Sequence, residues 1–387
     1  MTKIMMSAGE VSGDIHGARL VEEIKKIDPT IQFLGMGHSR MAEAGVDIKA
    51  DLSVVSTIGF IEPLRYLPQI VMTYFKMKKL LKTERPDVLI PIDYQGYHML
   101  LIKAAKKVGV PVIYYIAPQE WQWGTEEGGR SVIENTDRIL SIFKEEELFY
   151  NRLGGHATYI GHPIIDLAQS TVEKWDFYRK FGIDEDKRII SIFPGSRPQE
   201  LKHTFPMLLE AAKQLSNQFD DLHIFVSIVS PKFEADIKAT VRSQNMEDRI
   251  KYYANQNQCD LIANTTLSLT TSGTITLEHA VLGTPFIANY RFGKLSFWLA
   301  TKILGEKVKK IKFISLPNIF LDRKIAPEFL QGQCTPDVIA SEAISLLTNP
   351  ANYDAMKSAF QEVRNKMGTP GVIARAATEI VRFLKKR

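Results

Sequence analysis

The sequence predicts an α/β protein made of two doubly wound parallel sheets that face each other across a cleft. Three observations lead there. Short β-rich runs alternate with helical patterns along the chain, and such alternation builds βαβ units around parallel strands. The alternation occurs as two series. Lys3 to Ser7, Ile31 to Leu34, Val88 to Ile92, Val112 to Ile116, Arg138 to Ile142 and Thr158 to Ile160 form the first; Arg188 to Phe193, Leu222 to Val229, Lys251 to Ala254, Leu267 to Thr270 and Pro285 to Tyr290 form the second. The length of 387 residues exceeds one compact core. A polar stretch after His162-Pro163 separates the series, so the hinge is expected near residue 168. A first domain then covers 1–168 and a second 169–349. The helical segment at about 350–387 is expected to pack back on one of them or on a partner subunit.

Composition bounds the function. Hydrophobic residues at 45% and charged ones at 24% describe a soluble globular chain. Two cysteines, Cys259 and Cys334, make no disulfide framework and point to a reducing compartment. The first residues hold too short an apolar run for a signal peptide, and no run reaches the length of a spanning helix. A cytoplasmic location is therefore expected. A net charge of +5 suits anionic ligands or an anionic membrane surface, and nothing resembles a nucleic-acid-binding module.

Ser272-Gly273-Thr274-Ile275-Thr276-Leu277-Glu278 follows a strand and opens a helix. Ser272 suits the cap, Gly273 admits a ligand to the backbone, and free N–H groups of a first helical turn attract an anion. Thr274 and Glu278 share a helix face about one turn, roughly 5.4 Å, apart, so a diphosphate at the tip leaves Glu278 near an attached sugar. An ordinary capped helix with a solvated glutamate is the other reading. Phe193-Pro194-Gly195-Ser196-Arg197 ends another strand of the same domain, and its backbone and the Arg197 fork suit phosphate oxygens. In the first domain, Ser7-Ala8-Gly9-Glu10-Val11-Ser12-Gly13-Asp14 is a strand, a glycine turn and a helix without G-x-G-x-x-G spacing, which argues against a nicotinamide enzyme. Glu10, Ser12 and Asp14 either bind sugar hydroxyls or serve the helix start. The strand Val88 to Ile92 delivers Asp93, whose carboxylate takes a proton from an attacking hydroxyl or caps the next helix.

Asp184-Glu185-Asp186 precedes a strand and reads as a solvated turn, and the eight histidines show no metal-ligand spacing, so neither metal nor cofactor is expected. Residues 291–313 set Phe297 and Trp298 among apolar neighbours beside Lys302 and further lysines, which suits either an interfacial membrane contact or a buried helix with a basic loop.

Ala8-Gly9-Glu10-Val11-Ser12-Gly13-Asp14, Gly161-His162-Pro163, Pro194-Gly195-Ser196-Arg197, Ser272-Gly273-Thr274 with Leu277-Glu278, Ser315-Leu316-Pro317-Asn318 and Pro327-Glu328-Phe329-Leu330-Gln331 together resemble the lipid-A-disaccharide synthases. The resemblance runs in family order from residue 8 to 331. It implies a metal-independent GT-B glycosyltransferase of lipid A biosynthesis, a peripheral protein at the inner face of the cytoplasmic membrane. The implied reaction is inverting transfer of a 2,3-diacylglucosamine unit from UDP to 2,3-diacylglucosamine 1-phosphate. The family's catalytic aspartate falls on Asp93, with Glu10 as the second candidate base. The donor site takes Gly195, Ser196, Arg197, Ser272, Gly273, Thr274, Thr276, Glu278 and Asn318; Ser12, Asp14, Trp121 and His162 lie on the acceptor side. Family members exchange C-terminal segments between subunits, so a homodimer is among the implied partners.

The chain departs from the family where the acceptor belongs. Tyr94-Gln95-Gly96-Tyr97 replaces the family's Ala-Pro-Asp-Phe, Ala117-Pro118-Gln119-Glu120-Trp121-Gln122-Trp123-Gly124 replaces Ser-Pro-Ser-Val-Trp-Ala-Trp-Arg, and Gly37-His38-Ser39 replaces Gly-Gly-Pro. Two alternatives therefore stand beside the first reading: a UDP-sugar transferase with another acceptor, and a catalytically silent paralogue that binds a nucleotide sugar or lipid.

Overall fold

A computed structural model describes residues 2–52, 66–255, 257–293 and 312–386. It divides into two units, Met1–Asp166 with Met367–Arg387, and Leu167–Lys366.

The first unit is built on seven parallel strands: β1 (Lys3–Ala8), β2 (Gln32–Met36), β3 (Val46–Ala50), β4 (Val88–Ile92), β5 (Ile113–Tyr115), β6 (Arg138–Ser141) and β7 (Ala157–Tyr159). Their spatial order is β3-β2-β1-β4-β5-β6-β7. The order reverses between β1 and β4, and a crevice for ligands opens beyond the carboxyl ends at such a reversal. Ala8 pairs with Ile92, so Gly9 and Asp93 leave the sheet side by side. Every residue of β4 is buried, as helices on both faces require. Pro91 within it lacks an N–H, and pairing with β5 is confined to Leu89 with Val112 and Ile92 with Tyr115, on either side of the proline.

The second unit repeats the plan with β8 (Arg188–Phe193), β9 (Leu222–Ser227), β10 (Ile250–Tyr253), β11 (Leu267–Thr271), β12 (Phe286–Tyr290) and β13 (Glu328–Leu330) in the order β10-β9-β8-β11-β12-β13. Here β8 and β11 flank the reversal. Phe193 pairs with Thr270, which brings the loops Pro194–Arg197 and Ser272–Gly273 out of the sheet as neighbours.

The segment 350–387 is two helices, not one. Pro350–Lys366 packs on the helix Thr274–Leu282 in the second unit, whereas Val372–Lys385 packs on the helix Val11–Ile27 in the first. Gly368 and Gly371, both at positive φ, make the break. Asp166 fastens the last helix by accepting from the Gly371 and Ile373 N–H groups at 2.7 and 2.9 Å. Among the described residues no helix is long and apolar enough to cross a membrane.

Candidate functional site

In the second unit Ser272 follows β11, but it is not the cap of the helix Thr274–Leu282. Its hydroxyl donates to the Ile314 carbonyl at 2.5 Å, and Gly273 takes the cap position. Gly273 sits at φ 157° with no atom within 4 Å of where a Cβ would be, so the approach to the helix tip is open. The N–H groups of Gly273, Thr274 and Ile275 meet no acceptor among the described residues. Unpaired N–H groups at the positive end of a helix form an anion cradle.

Beside this tip lies Arg197. Its Nη1 is 2.8 Å from Glu200 Oε1, and its guanidinium also donates to the Tyr290 hydroxyl. Burial and then the Glu200 charge push Tyr290 up to about 12, so it stays a neutral phenol. The Ser196 and Arg197 N–H groups do not point outward as the sequence suggested: both donate to Glu200 Oε2, at 2.9 and 3.2 Å. What this loop offers an anion is the guanidinium and the exposed Ser196 side chain. Gly195, at φ 101°, is required because a Cβ there would lie 2.1 Å from the Glu200 carboxylate. Sequence reading missed Glu200, although its place three residues after Arg197 is the spacing by which a helix's first turn bonds its own cap.

Glu278 lies one turn into the same helix and has no hydrogen-bond partner among the described residues. Desolvation lifts its carboxyl to about 7. Nearby Cys259 is pushed up to about 12, first by burial and then by the Glu278 charge, so it stays a protonated thiol.

Two residues expected at the donor have other work. Thr276 is fully buried; its hydroxyl donates to the Gly273 carbonyl at 2.7 Å and accepts from Leu316 N–H at 3.3 Å, bracing the turn from beneath. Asn318 is also fully buried. Its Oδ1 accepts from Ile325 and Ala326 N–H at 2.7 and 2.9 Å, and its Nδ2 donates to the Ala326 carbonyl at 2.9 Å. Both side chains are fully buried and bound to backbone groups, so each braces the fold around the turn. Glu328, which sequence reading left without a role, holds Ile314 and Ser315 by their N–H groups at 3.0 and 2.9 Å, and so carries the acceptor of the Ser272 hydroxyl.

In the first unit Asp93 follows β4, with its side chain accessible and its carboxyl raised above the ordinary range by desolvation, against the opposing Tyr94 N–H. The neighbouring Tyr94 ring covers Gly9: a Cβ on Gly9 would fall 2.2 Å from it. Glu10 occupies the cap position of the helix Val11–Ile27, and its charge is felt by the Tyr94 hydroxyl. Gly9, Glu10, Asp93 and Tyr94 thus meet at the reversal of the first sheet.

Asp14 is a correction. It is buried, and its two oxygens accept from the N–H groups of His38, Arg40 and Met41 at 2.7, 3.0 and 3.2 Å, capping the helix Ser39–Glu43 from across the fold. That carboxylate serves the scaffold, not an acceptor. Ser12 stands in the first helical turn, half-buried, its hydroxyl without a partner among the described residues. Trp121 and His162 are brought together through Phe143, whose ring centroid lies 5.7 Å from one and 5.4 Å from the other. His162 Nδ1 accepts from Ile164 N–H at 3.1 Å, and burial followed by neighbouring His16 lowers it to about 3. His16, lowered to about 4 by burial, is a fourth member that sequence reading passed over. This corner offers neutral imidazoles and an indole, donors suited to an uncharged polar group.

Phe297, Trp298 and Lys302 lie outside the described residues. Among the described residues no three His, Cys, Asp or Glu side chains are placed to share a metal ion.

Comparison with known proteins follows the motifs. The sequence profile of the lipid-A-disaccharide synthetase family matches residues 4–377. A lipid-A-disaccharide synthase of Geobacter metallireducens is 33% identical over 388 residues, covering 100% of this chain and 98% of that protein. One of Syntrophotalea carbinolica is 34% identical over 379 residues, covering 97% and 94%. Among solved structures, the chain resembles a UDP-bound MnaA of S. aureus with a TM-score of 0.65 at 15% identity, covering 100% of this chain and 97% of that one. It resembles MurG of Acinetobacter baumannii with a TM-score of 0.56 at 14% identity, covering 100% of both. These structural likenesses concern the fold.

Proposed function

The chain belongs to the lipid-A-disaccharide synthase family of GT-B glycosyltransferases, hexosyltransferases of lipid A biosynthesis, and we propose that it joins UDP-2,3-diacylglucosamine to 2,3-diacylglucosamine 1-phosphate. The second unit holds the donor. Its diphosphate takes the open N–H groups at Gly273 to Ile275 and the guanidinium of Arg197, and Glu278 accepts from sugar hydroxyls. Negative charge growing on the departing UDP is met by dipoles and a cation already in place, which lowers the barrier more than contacts formed during the reaction. Asp93, on the first unit, takes the proton of the acceptor's 6-hydroxyl as that oxygen attacks the anomeric carbon, inverting its configuration. A carboxylate whose pKa is raised is a stronger base than an ordinary one. Glu10, at the same reversal, is the second candidate base; Ser12, Trp121 and His162 contact the acceptor.

The observation that carries this reading is that Asp93 in one unit, and Arg197 and the Gly273 tip in the other, all stand at the strand-order reversals. Purified protein given both acylated substrates is expected to release UDP and disaccharide 1-phosphate, with turnover abolished in Asp93→Ala and retained in Glu10→Ala. Absence of the disaccharide would overturn the reading. A second reading, the same donor chemistry with another acceptor, is favoured by Gly96, exposed and with nothing within 4 Å of its missing Cβ. UDP release that needs some other acylated sugar would establish it.

Peripheral attachment to the membrane is assigned to the helix Leu67–Thr83, which exposes Leu67, Val71, Met72 and Phe75 on one face, with Lys76, Lys79 and Lys82 continuing it. Apolar side chains beside lysines suit the boundary of an anionic bilayer, where the acylated substrates reside.

A further inference from the structure

Asp93 and Tyr94 are consecutive non-glycine residues in the left-handed region, at φ 53° and 52°. Such a turn crowds each Cβ against a carbonyl and persists only where its surroundings impose it. Here the imposition falls on one atom. The Asp93 carbonyl accepts from His98 Nδ1 at 2.5 Å and from the Tyr114 hydroxyl at 3.0 Å. A carbonyl only accepts, so His98 carries its proton on Nδ1, and Nε2 must accept from the Ser7 hydroxyl at 2.9 Å. Ser7, His98 and Tyr114 are fully buried. Burial lowers the imidazole to about 4, which keeps it neutral and this proton arrangement fixed.

The clamp gathers three elements: Ser7 from β1, Tyr114 from β5, and His98 from the helix Gln95–Lys107 that the turn begins. We propose that Ser7, His98 and Tyr114 are positioning residues that lock the strand-to-helix turn at Asp93, so that its carboxylate is presented outward in one orientation for proton abstraction. This rests on the assignment of Asp93 as the base. Core stability alone does not call for two buried donors on the carbonyl of the residue that carries the carboxylate, one of them oriented by a third polar group, Ser7; apolar side chains would fill the same space. The tight fit of the Tyr94 ring on Gly9 secures the other half of the turn. A strained turn of this kind displays the nucleophile of α/β hydrolases; here it would display a base.

The test uses Tyr114→Phe, Ser7→Ala, His98→Ala and His98→Asn in the full-length protein, with Asp93→Ala beside them. Displacing a reacting group by a fraction of an ångström is expected to lower kcat about tenfold or more in Tyr114→Phe and His98→Ala. Donor KM and UDP affinity, which belong to the second unit, stay as in the parent. The acidic limb of the kcat/KM profile shifts, and His98→Asn, which restores a donor to the carbonyl, recovers part of the rate. Nitrogen NMR of the parent should show the His98 proton on Nδ1. Parental kcat in Tyr114→Phe and His98→Ala overturns the proposal, as does a proton found on Nε2. A loss that appears only as a lower unfolding midpoint, with the rate of the folded fraction unchanged, overturns it too. If Asp93→Ala keeps full activity, the base assignment falls first, and the clamp's catalytic role falls with it.

Discussion

Glu200 closes on Arg197 from two directions, one carboxylate oxygen 2.8 Å from the guanidinium and the other accepting the Arg197 N–H at 3.2 Å. Because Glu200 is buried, Arg197 is fixed before a ligand arrives, and binding orders less of its side chain. Arg197→Ala should weaken UDP binding by about 1.5–3 kcal/mol, roughly ten- to hundredfold. It should also lower the unfolding midpoint, since Glu200 is left as an uncompensated buried charge. Arg197→Lys restores the charge but not the planar fork, and should recover only part of the affinity. Unchanged affinity in calorimetric titration of the folded Arg197→Ala protein would remove the arginine from the donor site.

Asn318 should separate from Arg197 in the same assays. Truncation to alanine strands the buried Ala326 N–H and the half-buried Ile325 N–H, at a cost of about 1–3 kcal/mol in urea denaturation. UDP affinity of the folded fraction should be kept. Asn318→Asp preserves the accepting oxygen but sets its second oxygen against the Ala326 carbonyl, so it should recover only part of the loss. A large loss of affinity with little loss of stability would return Asn318 to the ligand.

Asn318 and Arg197 also show what was legible beforehand. Alternating β-rich and helical runs are written into residue type and spacing, so both doubly wound sheets could be read, as could the strand ends that present Asp93, Arg197 and Ser272. Which way a polar side chain turns at such an end depends on backbone brought in from far along the chain. Asp14 is claimed by N–H groups 24 to 27 residues away, and Thr276 by an N–H 40 residues away. Glu200 was within reach, three residues from Arg197. His98 was not: nothing in its helix shows that Ser7, 91 residues earlier, completes its hydrogen bonds.

Glu278 gives a pH test. Desolvation raises its folded-state pKa to about 7. The ionised form is the one the fold disfavours, so the contribution to stability is complete below the ordinary carboxylate range and is lost as pH rises through 7. The ionised form, with two charged accepting oxygens, bonds sugar hydroxyls more strongly than the protonated one, which keeps a single good acceptor. Donor affinity is therefore expected to rise, by roughly tenfold between about pH 6 and 8. A UDP-sugar is the titrant of choice, because its diesterified diphosphate does not titrate in that interval. Glu278→Gln should flatten the profile; a parental profile already flat would show that Glu278 does not meet the donor.

The helix Leu67–Thr83 tests the membrane assignment without touching the chemistry. Met72 and Phe75 are 72% and 59% exposed, so changing both to serine removes little from the core and should leave the unfolding midpoint in place. If those side chains enter the bilayer boundary, the double variant gives up most of a transfer free energy of about 1.5–3 kcal/mol per residue. Co-sedimentation with anionic phospholipid vesicles should then fall by about tenfold or more. Lys76→Glu with Lys79→Glu should act through charge instead, each lysine being worth about 1 kcal/mol near an anionic surface, so its effect should fade in high salt while that of the serine pair persists. Parental co-sedimentation of Met72→Ser with Phe75→Ser would exclude this helix and turn attention to the stretch around Phe297, Trp298 and Lys302.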